Sequence, residues 1–158
     1  MTTLIMKQAP LFTCKNADGE TKTLSSYLGS WLVLYCYPKD DTSGCTLEGI
    51  QFTEKISTFK KHNAVIVGVS PDDEKSHCKF RMKHALGIEL LSDPEHTLLT
   101  AYDVWKEKSM YGRKYMGVER STFLIDPKGM LVKAWRKVSV PGHVDEVLKT
   151  LLELQSKQ

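Results

Sequence analysis

The chain has 158 residues, 41% of them hydrophobic, and a formal net charge of +3 from acids and bases mixed along its length. This length suits one compact domain, 1–158, with a full core, and the absence of a basic block argues against nucleic acid as a partner. No stretch approaches the ~20 apolar residues of a membrane span, and Met1 to Pro10 is too short and polar for a signal peptide, so no membrane partner and a cytoplasmic location are expected.

Leu11 to Cys14 and Thr21 to Leu24 flank Asn16-Ala17-Asp18-Gly19, whose Asp-Gly step predicts a hairpin covering one end of the core. Trp31 to Tyr37 is a continuous apolar run rich in aromatic and β-branched residues, as in a strand buried on both faces, and Pro38 ends it. Leu47, Ile50, Phe52, Ile56 and Phe59 recur at helical spacing, which predicts one helix starting at Cys45 and running to Lys60. Ala64 to Ser70 reads as a second buried strand. Ser70-Pro71-Asp72-Asp73-Glu74 then offers a cap, a proline and acids for a helix through His84.

Glu89 to Ser92 is a short strand, and Asp93-Pro94-Glu95 opens a helix to about Ala101. Residues 103–118 read as a polar, aromatic loop. Thr122 to Ile125 and Met130 to Trp135 form a hairpin about the turn Asp126-Pro127-Lys128-Gly129. Val144, Val147, Leu148, Leu151 and Leu152 mark a terminal helix before the polar tail 155–158. This order predicts an α/β fold of thioredoxin-like type, a central mixed sheet flanked by helices.

Cys14, Cys36, Cys45 and Cys78 lie far apart without a C-x-x-C pair, which disfavours structural disulfides and zinc. The five histidines lack metal-ligand spacing, and His77 is expected at the surface. Cys45 is the informative one. It stands at a strand-to-helix junction, where free N–H groups and the helix dipole favour a thiolate. Thr42 lies one turn before it, Pro38 can shield the pocket from water, Arg120 stands at the mouth of a later strand, and Glu48 is placed to hold that guanidinium. From spacing alone Cys45 reads sooner as an inert core thiol and Arg120 as a surface ion pair. Thr42 also suits an N-cap, and Glu48 a first-turn acid complementing the dipole.

The pattern Pro38-x-x-x-Thr42-x-x-Cys45 resembles the active site of the peroxiredoxins. Tyr37 to Glu48 (YPKDDTSGCTLE), Val104 to Gly117 (VWKEKSMYGRKYMG) and Glu119 to Asp126 (ERSTFLID) look like the bacterioferritin comigratory protein, or peroxiredoxin Q, subgroup. The resemblance implies reduction of hydrogen peroxide and organic hydroperoxides by Cys45, without metal or organic cofactor. Thr42 and the Cys45 amide would hold the peroxide and Arg120 would stabilise charge. It also implies a sulfenic acid on Cys45, recycled by thioredoxin or a similar thiol donor, in a monomer or weak dimer.

Many subgroup members carry a resolving cysteine five residues after the first, where this chain has Ile50. Cys78 occupies a place comparable to that of the resolving cysteine in other members. Resolution by an external thiol alone is the second enzymatic reading. A non-catalytic thioredoxin-like module, redox sensor or holdase, is the alternative of another class. Cys14 and Cys36 receive no role, and Trp105, Tyr111 and Tyr115 are read as a wall of the active-site region.

Overall fold

The computed structural model describes residues 5–157. The signal-peptide reading of Met1 to Pro10 therefore falls partly outside the described residues. Ten strands and five α-helices follow in chain order: β1 (Lys7–Gln8), β2 (Thr13–Asn16), β3 (Thr21–Thr23), β4 (Trp31–Cys36), α1 (Ser43–Glu54), α2 (Ile56–Lys61), β5 (Ala64–Ser70), α3 (Glu74–Lys83), β6 (Glu89–Ser92), α4 (Thr97–Ala101), β7 (Trp105–Met110), β8 (Arg113–Val118), β9 (Ser121–Ile125), β10 (Met130–Trp135) and α5 (His143–Ser156).

Eight strands make one mixed sheet in the order β1-β10-β9-β4-β5-β6-β2-β3, with β4, β5 and β6 parallel and β9 antiparallel to β4. The fold is thioredoxin-like, as the element order predicts. Every residue of β4 is buried, and its side chains alternate between two cores. Leu32, Leu34 and Cys36 join Tyr102, Val118 and Phe123 on one face. Trp31, Val33 and Tyr35 join Phe52, Phe59, Phe80 and Val147 on the other. Beside Tyr35 the next strand carries Gly68, where an added Cβ would lie 2.7 Å from the tyrosine Cζ, so the ring fits only over a glycine.

Several elements depart from the sequence reading. The N-terminal hairpin also extends the main sheet, because β2 pairs with β6, while Phe12, Cys14 and Leu24 pack into one core. The helix expected over 45–60 starts at Ser43 and breaks at Lys55, whose ψ of 4° leaves the helical range. Just before the break, the Thr53 hydroxyl donates back to the Gly49 carbonyl (2.8 Å) and accepts from the Gly87 N–H (3.1 Å), a bond pattern that bends helices. The cap of α3 is Asp73, accepting from the Ser76 N–H at 2.8 Å, rather than Ser70. The helix opened by Asp93-Pro94-Glu95 starts only at Thr97, with both Asp93 oxygens accepting from the Thr97 and Leu99 N–H groups. The tail from Gln155 stays helical through Ser156.

The largest difference is at 103–118, expected as a loop and folded as the two-stranded ribbon β7–β8. Its turn residues Tyr111 and Gly112 both have positive φ, 52° and 78°, as a two-residue hairpin turn needs. A tyrosine in that position hides the signal that Asn-Gly or Asp-Gly would give.

Candidate active site

At the C-terminal end of β4 the chain leaves the sheet at Tyr37, whose N–H still pairs with the Val69 carbonyl (3.0 Å), and turns through Pro38 to Thr42 into α1. Thr42 is the N-cap residue by backbone, and Cys45 is third in the helix. The Thr42 hydroxyl does not cap the helix. It turns away and donates to the Lys39 carbonyl at 3.0 Å, so the first-turn N–H groups near Cys45 gain no side-chain partner from it.

The site is completed from the strand next to β4, 75 residues on from Cys45 in sequence. Arg120 directly precedes β9, and its Nη2 donates to Cys45 Sγ at 3.3 Å while Nη1 donates to Glu48 Oε1 at 2.6 Å. Cys45 is only 2% exposed, yet the guanidinium faces its sulfur. Room for that approach comes from Gly44, where an added Cβ would stand 3.2 Å from Nη2. Glu48 is fully buried; burial pushes its carboxyl up to about 7 against the pull of Arg120. Burial works against the charge of Arg120, but Glu48 and Cys45 together hold the guanidinium above its ordinary range. Cys45, Glu48 and Arg120 thus form one contiguous group, with Thr42 and half-buried Pro38 at its rim.

Behind the loop lies a buried polar network that the sequence reading missed. His77, expected at the surface, is 0% exposed, its Nδ1 2.7 Å from Asp40 Oδ2 and its Nε2 2.9 Å from the Leu91 carbonyl. Asp40 also accepts from Tyr37 Oη (2.6 Å) and Ser76 Oγ (2.7 Å), and its N–H donates to Asp72 (2.8 Å). His77 lies one turn before buried Phe80 on α3, and that i, i+3 relation to an apolar residue was the available signal. Asp40, Asp72 and His77 place ligand atoms within 4.8 Å of one another, the one such group of three among the described residues, and all three side chains already hold hydrogen bonds within the protein.

The other cysteines differ in setting. All four are free. Burial pushes the Cys14 thiol up to about 12, and that of Cys36 higher still. Cys78 is half-buried on α3, its Sγ 3.9 Å from Met82 Sδ. The arrangement brings Arg120 and Glu48 to Cys45 and leaves Cys78 on a separate helix. A sulfur facing a guanidinium, beside unpartnered helix N–H groups, suits nucleophilic attack in which negative charge moves onto oxygen.

Residues 5–134 match the model of the AhpC/TSA family. The chain is 51% identical over 157 residues to Peroxiredoxin Bcp of Bacillus subtilis, covering 99% of this chain and all of the relative. A structure of Xanthomonas campestris bacterioferritin comigratory protein, from work on its alkyl peroxide reduction activity, superposes with a TM-score of 0.86 at 46% identity, covering 90% of each chain. Peroxidoxin BcpB of Mycobacterium tuberculosis superposes at 0.85 with 28% identity, over 96% of this chain and 98% of that one.

Proposed function

The chain belongs to the AhpC/TSA family of peroxiredoxins, and on that premise we propose that Cys45 is its peroxidatic cysteine. As a peroxiredoxin it is a thiol-dependent peroxidase, an oxidoreductase that takes peroxide substrates and a thiol reductant. The non-catalytic module is not favoured.

The Cys45 thiolate attacks the terminal oxygen of the peroxide. An S–O bond forms, the O–O bond breaks, and the leaving alkoxide takes a proton from water to become the alcohol. Sulfur is oxidised to the sulfenic acid as the peroxide is reduced. The observation that carries this reading is the 3.3 Å contact from Arg120 to Cys45 Sγ, which places a cation where charge shifts from sulfur to oxygen. With its hydrogen held by Lys39, the Thr42 oxygen presents lone pairs to the peroxide O–H, and the first-turn N–H groups face the attacked oxygen. Glu48 positions Arg120, and Pro38 keeps water from the rim.

Cys78 is the resolving thiol in this reading. What supports it is the burial of Cys14 and Cys36, which keeps them from acting as thiolates. Its sulfur attacks the Cys45 sulfenic acid, an S–S bond forms and water leaves. Because Cys45 faces Arg120 and Cys78 faces Met82, one of the two helices must loosen first. A thioredoxin-type dithiol then reduces the disulfide. The subgroup resemblance supports a monomer or weak dimer, and four free thiols suit the cytoplasm. No helix among the described residues is long and apolar enough to cross a membrane.

Stopped-flow oxidation tests the assignment. Cys45→Ser is expected to abolish peroxide consumption, and a rate equal to the unaltered protein's contradicts it. A Cys45–Cys78 crosslink after peroxide treatment is expected, and a persistent Cys45 sulfenic acid would instead assign resolution to the external thiol.

A further inference from the structure

The ribbon β7–β8 carries chemistry that the peroxidase reading leaves unused. Between Trp105 and Val118 stand Lys106, Lys108, Arg113 and Lys114 against the single acid Glu107, an excess of +3 that equals the formal net charge of the whole chain. The rest of the molecule is therefore balanced. The N–H of Glu119 bonds the Val104 carbonyl (2.8 Å) and closes the ribbon's base, and Arg120 follows at once. The cationic arm thus rises directly beside the sulfur's guanidinium.

Its cations are not equivalent. Lys106 bonds Asp103 at 2.8 Å and Lys114 lies 3.9 Å from Glu107, whereas Lys108 and Arg113 have no acidic partner among the described residues. Arg113 adjoins the ribbon tip, beside Tyr111, which is 98% exposed. Lys108 is different. Its Cα pairs with Tyr115, yet its Cδ and Cε lie 3.3 and 3.6 Å from where a Gly117 Cβ would stand. The side chain therefore runs down the ribbon toward Arg120, over a strand position whose missing side chain leaves it room.

We infer that Lys108 is a specificity-determining residue that makes the site favour hydroperoxides carrying a carboxylate over neutral ones. This rests on the peroxidase reading of Cys45. Partial burial holds the Lys108 ammonium below its ordinary range, Arg120 pushes it the same way, and Glu119 and Cys45 oppose them, so it lies within the field of the site. Arg120 is already engaged by Glu48 and the sulfur, which leaves Lys108 as the cation free to receive a substrate's charge. The apolar side chains Tyr115 and Met110 share its face and would cover the substrate's body.

The probes are cumene hydroperoxide and its ring-carboxylated analogue, with second-order oxidation rates measured on the full chain. The carboxylated peroxide is expected to react roughly fivefold faster, as one cation at close range in water would give, and added salt should erode the advantage. Lys108→Met should bring the ratio of the two rates near one even where both rates shift together, Lys108→Arg should restore the ratio, and Lys108→Glu should reverse it. The same ratio in the unaltered protein and Lys108→Met, or a ratio indifferent to salt, overturns the inference while leaving Cys45 as the nucleophile. Failure of Cys45 to react with cumene hydroperoxide at all would overturn both.

Discussion

Gly44, next to the proposed nucleophile Cys45, is expected to affect the rate. A methyl group at Gly44 would meet Arg120 Nη2 at 3.2 Å and push the guanidinium from the sulfur. Gly44→Ala is therefore expected to slow oxidation on the order of tenfold. Because alanine suits a helix better than glycine, folding stability should hold or rise by up to about 1 kcal/mol. A stopped-flow rate with a urea midpoint separates the two effects, and an unchanged rate would contradict the contact.

Glu48 makes the second prediction at this scale. Burial raises its carboxyl from 4.5 to about 7, so between those values the native state holds a proton that the unfolded chain has lost. Stability from this group therefore falls as pH rises from about 4.5 to about 7 and stays low above. Glu48→Gln removes that slope, which is on the order of 1–3 kcal/mol between pH 5 and 8. Urea unfolding at the two pH values checks it, and an identical slope in both proteins would refute it. Cys45 and Thr42 could be proposed from the chain because the pattern Pro38-x-x-x-Thr42-x-x-Cys45 is dense, and the expected approach of Glu48 to the Arg120 guanidinium is seen at 2.6 Å. The need for Gly44 was not legible, since it arises from a side chain 76 positions away in sequence.

The loop leading to Cys45 is held to α3 by two acids in succession. Asp40 binds His77 and Ser76, while Asp41 binds Lys83 (2.7 Å) and His84 (2.8 Å). The inner contacts are buried and the outer ones exposed, so the inner pair carries most of the cohesion. His77→Ala removes one hydrogen-bond partner of buried Asp40, which keeps Tyr37 and Ser76, and is expected to cost about 1–3 kcal/mol. Hydrogen exchange should then quicken in both 38–44 and 74–83; a change confined to α3 would show that the loop is not tied to it. The one sequence sign of this role was the i, i+3 relation of His77 to the apolar Phe80. The ribbon was also hidden, because charged residues stand on both of its faces and leave no apolar alternation to read.

At the scale of the whole molecule, parallel β4 and β5 and antiparallel β9 bring the ends of distant segments to one place. Cys45 enters from the helix after β4 and Arg120 from the residue before β9. The central strands were legible because continuous apolar runs such as Ala64 to Ser70 have one stable location, a sheet covered on both faces. Sheet edges were less so: β1 is two residues long and its pairing with β10 leaves no periodic trace. Gly68→Ala tests the tightness of the center, since its methyl would collide with Tyr35. A loss of about 1–3 kcal/mol in urea unfolding is expected, and an unchanged midpoint would mean that the Tyr35 ring yields freely. The most direct test of the site this sheet assembles is peptide mapping after one equivalent of hydrogen peroxide, with sulfenic acid trapped as it forms. Oxidation is expected at Cys45, as the trapped acid or within a disulfide; a reduced Cys45 beside an oxidised Cys14, Cys36 or Cys78 would contradict the account.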